Sequence, residues 1–310
     1  MEEIRTLMKP ILIITGATAC GKSVLALDIA RECDGEIISA DSMQLYRGLD
    51  IGVAKPTAAE QAEIRHHLID VFDFNKRLDV YTFVALAEAA VHDVWSRHKL
   101  PIIVGGTGMY IKAFLYGLDP LPSDPTLRAQ LNREFDGTDG FERLKNITCE
   151  TIPDDFERWQ QHHRKLLRAF EVFKLTGSSI TKLQTLKQPK LRWPATVWNL
   201  VREREELKQR IAHRTEAMLN NGWIEEARVA IANGLLESPT AWQALGYAVI
   251  GKYLEGDIDY ETMKAQIITT TWQLARRQIT WFKGQHPEAE HLPFPCDHQL
   301  LIERVKLLYK

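Results

Sequence analysis

Near its start the chain reads Gly16-Ala17-Thr18-Ala19-Cys20-Gly21-Lys22-Ser23, which satisfies every fixed position of the pattern G-x-x-x-x-G-K-[ST]. The apolar run Ile11–Ile14 predicts a buried strand before these residues, and the apolar residues of Val24–Ala30 predict a helix after them. A glycine turn between a strand and a helix start forms an anion site, because unpaired N–H groups and the helix dipole point at one spot. Lys22 adds a positive charge for a terminal phosphate, and Ser23 is placed to ligate Mg2+. We therefore predict a phosphate or diphosphate site, called the phosphate loop below.

Length and composition are typical of a soluble globular protein. With 310 residues, 45% of them hydrophobic and 26% charged, the chain is long enough for a large core and two domains. The net charge of -2 gives no overall field that points to nucleic acid or to a membrane. The four cysteines lack paired spacing, which argues against a disulfide framework or a zinc module. They are Cys20, Cys33, Cys149 and Cys296. Met1–Lys9 does not resemble a signal peptide, and no stretch approaches the roughly 18 apolar residues of a membrane span, so we predict a cytoplasmic protein without a membrane partner.

The first third of the chain alternates between predicted strands and helices. Strands are expected at Glu36–Ala40 and Pro101–Val104, with a candidate edge strand at His67–Val71. An amphipathic helix is expected between His67–Val71 and Pro101–Val104. Its buried side would carry Phe83, Val84, Leu86, Ala87, Ala90, Val91, Val94 and Trp95. This alternation predicts an α/β fold with a parallel sheet.

Two of the predicted strands end in residues that can carry chemistry. Glu36–Ala40 leads into Asp41-Ser42, and Pro101–Val104 opens into a second glycine turn, Gly105-Gly106-Thr107-Gly108. Ligands of a parallel α/β sheet lie outside the carboxyl ends of its strands. We therefore expect Asp41 and Thr107 to face the same crevice as the phosphate loop, with the glycine backbone approaching a ligand closely.

The pattern changes at Leu118–Pro122, where prolines break the alternation, and the residues that follow are predicted to be helical and locally basic. The cations are Arg158, Arg164, Lys165, Arg168, Lys174, Lys182, Lys187, Lys190 and Arg192. Such a run is more often a solvated helix face, but an excursion within an α/β core favours an inserted lid or clamp. The run Ala195–Val201 then returns to the sheet. We predict a P-loop NTPase-like parallel sheet core flanked by helices from residues 1–118 and 194–310, with a mostly helical insertion at 119–193.

The remainder of the chain is predicted to be helical. Helices are expected at about Glu203–Leu219, Ile224–Asn233 and Tyr260–Lys283. The last of these carries cations beside aromatic rings. Such residues either bind the backbone and bases of a nucleic acid or simply form part of a core with a solvated edge.

Some classes of phosphate-binding protein fit the sequence poorly. A motor ATPase or a GTPase usually has an apolar strand that ends in a Mg2+-binding Asp. Here Ile102–Val104 runs into glycine, and Leu68-Ile69-Asp70 fits only loosely. A kinase of a small metabolite stays an alternative, with Asp41 accepting the proton of the substrate hydroxyl, although the long basic remainder favours a large polyanionic partner.

The pair His66-His67 would point to opposite faces of a strand, so hydrogen bonding is favoured over metal binding.

An ordered set of sequence blocks resembles the tRNA dimethylallyltransferases, also called tRNA isopentenyltransferases. The resemblance covers Ile11 to about Lys283, and the chain is similar to the shorter bacterial form without a zinc finger. Beyond the phosphate loop, the blocks are Ser39–Tyr46, Gly48–Pro56, His66–Asp70, Val104–Ile111, Arg168–Val172, Arg210–Arg214, Leu245–Tyr247 and Arg276–Phe282. A phosphate loop alone is shared by many enzymes, whereas this ordered set is highly specific.

The resemblance implies a reaction between dimethylallyl diphosphate and tRNA. The diphosphate would lie in the phosphate loop, with Mg2+ as cofactor at Ser23. The N6 amine of the adenosine immediately 3′ of the anticodon, flipped out of its stack, would attack the allylic carbon, and diphosphate would leave. Asp41 is expected to be the general base, while Thr107 and Arg214, helped by Lys22, would stabilise the leaving group.

The resemblance also implies contacts with the anticodon stem-loop. Ser42, Met43 and Gln44 would contact the flipped adenine, in a site that Asp41 and Thr107 complete. Further residues expected to bind the tRNA are Arg128, Arg164, Lys165, Arg168, Gln243, Arg276, Arg277 and Gln278. The protein is expected to act as a monomer.

Several positions depart from the family pattern. Trp272 stands in place of an Arg, Gln161 and His162 in place of an Asn-Asp pair, and Val53 in place of a Thr. The first two bear on tRNA choice and affinity more than on the chemistry. A catalytically weak tRNA-binding paralogue is therefore a third hypothesis beside the transferase and the kinase.

Overall fold

The computed structural model describes residues 10–118, 121–185, 190–286 and 288–309. The features that the sequence predicted at Met1–Lys9, Asp119-Pro120 and Lys187 lie outside these residues. The chain divides into two compact units, the first formed by Met1–Gly117 with Leu191–Lys310 and the second by Leu118–Lys190.

Within the described residues, the first unit contains one sheet of six strands, which lie in the order β3-β2-β4-β1-β5-β6. The strands are β1 (Ile11–Gly16), β2 (Gly35–Ser39), β3 (His66–His67), β4 (Leu100–Gly105), β5 (Ala195–Val201) and β6 (Glu290–Pro293). All neighbouring strands pair in parallel. Every residue of β1 is buried, as expected for a central strand with helices on both faces of its sheet. The predicted α/β fold with a parallel sheet is confirmed.

The helices follow the predicted pattern. Between the strands of the first unit lie α1 (Lys22–Glu32), α2 (Ala58–Glu63), α3 (Val80–Ser96) and α4 (Gly108–Tyr116). The second unit contains α5 (Pro125–Glu134), α6 (Gly137–Thr151), α7 (Pro153–Trp159), α8 (His163–Thr176) and α9 (Ile180–Thr185). The first unit resumes with α10 (Arg204–Asn220), α11 (Trp223–Ala232), α12 (Tyr247–Leu254), α13 (Tyr260–Gln285) and α14 (His298–Leu308). Side-chain caps stabilise the N-termini of several helices. Asp79 accepts the N–H of Thr82 at the start of α3, and Asp259 accepts that of Thr262 at the start of α13.

The phosphate loop rests on a core that draws residues from both ends of the chain. Leu25 of α1 belongs to the same apolar cluster as Phe294, which follows β6. A side chain on Gly21 would collide with this phenyl ring, because a Cβ there would lie 2.5 Å from a ring carbon. The guanidinium of Arg202 lies 5.0 Å from the ring centroid and donates from Nε to the carbonyl of Cys20 at 3.1 Å. Phe294 and Arg202 therefore pack against the phosphate loop and support its conformation.

Two predictions about strands need correction. The expected edge strand His67–Val71 is only two residues long, His66–His67, because Leu68 and Asp70 have φ of 62° and 56° and turn the backbone away. The prediction that everything after Val201 is helical is wrong, because β6 pairs in parallel with β5. Its sequence has no apolar alternation, so only this pairing identifies it as a strand.

The second unit is helical, as predicted for the insertion. Its main core packs Leu131 and Phe135 against Leu144, Leu166 and Phe170. None of the helices in the described part of the chain is both long and apolar enough to cross a membrane.

Candidate active site

The carboxyl ends of β1, β2 and β4 open onto one cavity of about 760 Å³. The phosphate loop and Asp41 line it, together with Thr107 of the second glycine turn. Arg214 of α10 and Gln278 of α13 complete the wall. The structure therefore brings the proposed general base and the proposed diphosphate-binding groups to a single space.

The phosphate loop bends sharply into α1. Ala19 and Gly21 have φ of 63° and 110°, in the left-handed region that glycine adopts readily. Lys22 donates from Nζ to the carbonyl of Ala17 at 3.1 Å, which holds its ammonium against the loop. Ser23 is exposed in the first turn of α1 and borders the cavity. Helix N–H groups, a cation and a hydroxyl are thus available together for a phosphate group.

Two arginines of α10 reach the phosphate loop. Arg214 donates from Nη2 to the Thr18 hydroxyl oxygen at 2.6 Å, and Arg210 donates from Nε to the carbonyl of Ala19 at 2.9 Å. Burial lowers the pKa of the Arg214 guanidinium from its ordinary value, while the nearby Asp41 carboxylate acts in the opposite direction. Arginine stays protonated in proteins, so both groups are cations at the site. Arg210 was not among the predicted site residues, although its spacing one helical turn before Arg214 could have identified it.

Asp41 follows β2 and is held by short local contacts. Its Oδ1 accepts the backbone N–H of Met43 at 2.9 Å, and its own N–H donates to the Ser39 hydroxyl oxygen at 3.3 Å. Oδ2 accepts no hydrogen bond from the described residues. One oxygen is therefore fixed by the backbone and the other can accept a proton, which suits a general base.

Thr107 connects the second glycine turn to the residues around Asp41. Its backbone N–H donates to the carbonyl of Ala40 at 3.3 Å, and its hydroxyl oxygen accepts the N–H of Ser42 at 3.3 Å. The position of the Thr107 hydroxyl is thus tied to the segment that carries Asp41.

The glycines of this turn are needed for close packing within the protein. A Cβ on Gly105 would lie 2.2 Å from the carbonyl oxygen of Ala40, and one on Gly106 would lie 2.3 Å from Nε2 of Gln278. A Cβ on Gly108 would lie 2.2 Å from the ring of Trp281. The sequence predicted close approach to a ligand at these glycines, whereas the groups that approach them here belong to the chain itself.

Gln44, predicted to contact the adenine, has both ends of its amide engaged within the protein. Its Oε1 accepts the Ser39 hydroxyl at 2.7 Å. Its Nε2 donates to the carbonyls of Val53 and Ala54 at 3.3 and 3.0 Å. Gln44 therefore joins the end of β2 to the segment Gly52–Ala54, which forms another wall of the cavity.

Glu226 of α11 forms hydrogen bonds to the backbone of the segment that leads into this wall. Its carboxylate accepts three consecutive backbone N–H groups, of Asp50, Ile51 and Gly52, at 2.9, 2.7 and 3.0 Å. The Tyr247 hydroxyl donates to the same carboxylate at 2.6 Å, and burial together with Glu226 raises the pKa of Tyr247. No local sequence pattern distinguishes Glu226 from an ordinary surface acid, so sequence reasoning could not identify it.

Asp70, the loose candidate for a Mg2+-binding Asp, is engaged elsewhere. Nζ of Lys55 lies 2.6 Å from Oδ1 of Asp70 and 2.6 Å from Oδ1 of Asp50. Asp70 does not line the cavity, which argues against the metal role that an NTPase would give it.

Two of the cations predicted to bind tRNA form ion pairs within the second unit. The buried Glu171 carboxylate accepts from Nε of Arg128 at 2.9 Å and lies 2.8 Å from Nη1 of Arg168. Burial alone would raise the pKa of Glu171, but the hydrogen bonds from Arg128 and Arg168 outweigh it and lower the pKa. Arg164 and Lys165, in the first turn of α8, are exposed.

The remaining predicted tRNA contacts lie in the first unit. Arg276 and Arg277 are exposed on α13, and Arg277 borders the cavity. Gln243 is also exposed and borders the cavity. Beside it, Trp242 is 46% exposed, whereas the other seven tryptophans, all among the described residues, are buried or half-buried.

Trp272, where the resemblance implied an Arg, packs against cations of the neighbouring helix. Arg204 and Lys208 of α10 lie 5.9 and 5.3 Å from its ring centroid. Positive charge is thus present around this position despite the substitution.

His66 and His67 are both hydrogen-bonded within the protein. Nδ1 of His66 lies 2.7 Å from the carbonyl of Ile64, and burial lowers the pKa of this imidazole. Nε2 of His67 lies 2.7 Å from Oε2 of Glu36. The described residues contain no group of three or more His, Cys, Asp or Glu side chains that could hold a metal ion.

Comparisons with known proteins agree on one family. Residues 44–285 match the family model described as IPP transferase, and residues 9–77 match that described as isopentenyl transferase. A tRNA dimethylallyltransferase of Halorhodospira halophila is 41% identical over 94% of this chain and 94% of its own length. One of Kocuria rhizophila is 36% identical over 91% of this chain and 89% of its own length.

Solved structures show the same likeness. The full-length tRNA isopentenylpyrophosphate transferase from Bacillus halodurans superposes with a TM-score of 0.71 at 29% identity, covering 97% of both chains. A eukaryotic dimethylallyltransferase acting on tRNA gives a TM-score of 0.81 over 96% of this chain and 79% of its own, and at 23% identity this supports the fold alone.

Proposed function

Since the chain belongs to the IPP transferase family, that of the tRNA dimethylallyltransferases, we propose that it transfers a dimethylallyl group from dimethylallyl diphosphate to N6 of the adenosine 3′ of the anticodon in tRNA. The observation that carries this proposal is that Asp41, the phosphate loop and Arg214 line a single cavity of about 760 Å³. A base on one wall and a cradle for the leaving group on another are what this displacement requires.

The chain's own groups account for the bonds that change. The adenine N6 forms a bond to the allylic carbon of the donor, and the bond from that carbon to the diphosphate oxygen breaks. Oδ2 of Asp41 takes the proton that N6 releases. Lys22 and Arg214 hold the departing diphosphate, where negative charge develops, and the Thr107 hydroxyl donates to it.

Mg2+ fits the residues at the donor end of the cavity. The exposed Ser23 hydroxyl borders this space, and Mg2+ is commonly held by one or two protein oxygens together with phosphate oxygens and waters. We propose that Ser23 and the diphosphate would hold the ion. When bound, it neutralises charge on the leaving group.

For the acceptor, we propose that exposed cations of both units bind the tRNA backbone. Arg164 and Lys165 are the leading candidates in the second unit, because Arg128 and Arg168 share their guanidinium groups with Glu171. Arg276 and Arg277 serve in the first unit, with Gln243 at the cavity. The target base must leave its stack to reach Asp41, as in other enzymes that react with a nucleobase.

We further propose that the protein acts as a monomer in the cytoplasm. All the groups invoked for the reaction come from one chain, and its four cysteines are free thiols, which a reducing compartment preserves.

The test combines the protein with Mg2+, labelled dimethylallyl diphosphate and unmodified tRNA, followed by digestion and analysis of nucleosides. Label in a prenylated adenosine 3′ of the anticodon is the expected result. Turnover of ATP with a small metabolite and without RNA would instead identify a kinase. Tight binding of the anticodon stem-loop without transfer would identify a tRNA-binding paralogue.

A further inference from the structure

Gln278 of α13 was predicted to contact tRNA, yet both ends of its side-chain amide are used inside the protein. Oε1 accepts the backbone N–H of Thr18 in the phosphate loop at 2.7 Å. Nε2 donates to the carbonyl of Gly106 in the second glycine turn at 2.9 Å. One side chain thus joins two loops that are far apart in sequence and lie on the same cavity.

Each loop that Gln278 holds carries a group proposed for the reaction. On the phosphate loop, Thr18 donates its backbone N–H to Gln278. The hydroxyl oxygen of the same Thr18 accepts a hydrogen bond from Nη2 of Arg214. On the second glycine turn, Gly106 immediately precedes Thr107, whose hydroxyl oxygen accepts the N–H of Ser42 beside Asp41. The Gln278 amide therefore lies between the leaving-group side and the general-base side of the cavity.

The fit at Gly106 shows that this contact is built into the fold. A Cβ at that position would lie 2.3 Å from Nε2 of Gln278, so only glycine lets the amide approach. One turn further along α13, Trp281 meets Gly108 in the same way, at 2.2 Å from a Cβ there. Side chains of α13 thus pack closely against both glycines that flank Thr107.

We propose that Gln278 is a positioning residue for the donor diphosphate and its departure, rather than a contact to tRNA. This inference rests on the proposed function for its effect on transfer, but its effect on diphosphate binding does not depend on it. Loss of the amide removes the side-chain link between the Thr18 end of the phosphate loop and the Thr107 turn, and displacements of about 1 Å in an active site cost on the order of a hundredfold in rate.

The experiment measures each ligand separately. Gln278→Met keeps the length of the side chain and removes both polar ends, whereas Gln278→Glu keeps an acceptor for the Thr18 N–H and loses the donor to Gly106. Gln273→Met is the matched control, because Gln273 is exposed on the same helix and does not line the cavity. For each protein, calorimetry with Mg2+ and inorganic diphosphate gives one dissociation constant, and anisotropy with a labelled anticodon stem-loop gives the other. Thermal unfolding establishes that each variant is folded.

We expect Gln278→Met to raise the diphosphate Kd roughly 5- to 150-fold, because it removes two hydrogen bonds of ordinary strength that hold the two loops in the arrangement that binds the ligand. The Glu variant should lose at least as much, because it adds negative charge beside the ligand. Single-turnover transfer should fall further than diphosphate binding alone explains. The Kd for the stem-loop should stay within about twofold, and Gln273→Met should match the unsubstituted protein in every measurement.

A raised stem-loop Kd with an unchanged diphosphate Kd would overturn the inference and restore the original assignment. Equal loss of both ligands, or no loss of either, would also overturn it. Should Gln278→Met fold poorly, the Glu variant decides by the same criteria. A protein that binds diphosphate through Gln278 but transfers nothing to tRNA would refute the proposed function and leave this inference standing.

Discussion

Replacing Asp41 by Asn removes the basicity of the carboxylate while leaving its local structure in place. The side-chain oxygen of Asn can still accept the N–H of Met43, now 2.9 Å from Oδ1. Only the second position changes, from an oxygen without a hydrogen bond from the described residues to an NH2 group that cannot take a proton. The Asn variant therefore isolates proton transfer from folding of the loop.

The magnitude follows from what a positioned base contributes. General base catalysis typically supplies about 10²–10⁴ in rate, which corresponds to roughly 2.7–5.4 kcal/mol at about 1.36 kcal/mol per tenfold. We expect Asp41→Asn to lower single-turnover transfer by a factor in that range, with the Kd for tRNA and for diphosphate changed by no more than about twofold. Asp41→Ala should lose at least as much, because it also removes the Met43 contact.

The assay follows labelled prenyl transfer to tRNA at saturating donor and RNA, with both Kd values measured separately. An Asn variant that keeps more than about half of the transfer rate would show that Asp41 is not the base. Loss of tRNA binding in step with transfer would assign Asp41 to recognition.

Three further results are expected. Lys165→Ala should weaken tRNA binding and reduce the slope of log Kd against log salt by about 0.7–0.9, the value of one phosphate contact; an unchanged slope would remove Lys165 from the interface. Trp242→Ala should raise the KM for tRNA roughly 5- to 150-fold, as for loss of about one stacked base, whereas Trp242→Phe should raise it less because a ring remains for stacking; equal values for Ala and Phe would argue against stacking. Glu171→Gln should destabilise the protein by about 1–3 kcal/mol at pH 7 in urea unfolding, discounted because Arg128 and Arg168 are partly exposed. Because these arginines hold the pKa of Glu171 below its ordinary value, the stabilisation is complete above about pH 4.3, where an unfolded Glu titrates, and is lost as the pH falls through the lower folded pKa. A difference between the two proteins that did not shrink in acid would contradict this assignment.

What the sequence could predict at this site is what local patterns and the topology of parallel sheets determine. The strand before Gly16 and the helix after Gly21 are visible as apolar runs flanking a glycine turn. The meeting of Asp41 with Thr107 follows from the rule that strand ends of a parallel sheet share one edge. The sequence predicted the phosphate loop and the meeting of Asp41 with Thr107, and in the structure all of these residues line one cavity.

What the sequence could not predict depends on partners that meet only in the folded chain. Gln278 and Gln44 read as polar residues free to contact a ligand, and the structure engages both amides in bonds to distant backbone. Glu226 has no local signature, because its three partners are backbone N–H groups that any sequence offers. Strand β6 is mostly exposed and lacks an apolar run, so its pairing with β5, rather than its composition, makes it a strand.

The support that Phe294 and Arg202 give to the phosphate loop bears on how the protein is made. The ribosome makes the glycine-rich motif well before Phe294, whose phenyl ring packs against Gly21. Until Phe294 has been made, the nascent polypeptide contains the phosphate loop without this support, and a product that stops short of β6 should contain the motif yet bind diphosphate poorly. We therefore expect full affinity for diphosphate only in chains that contain this later segment.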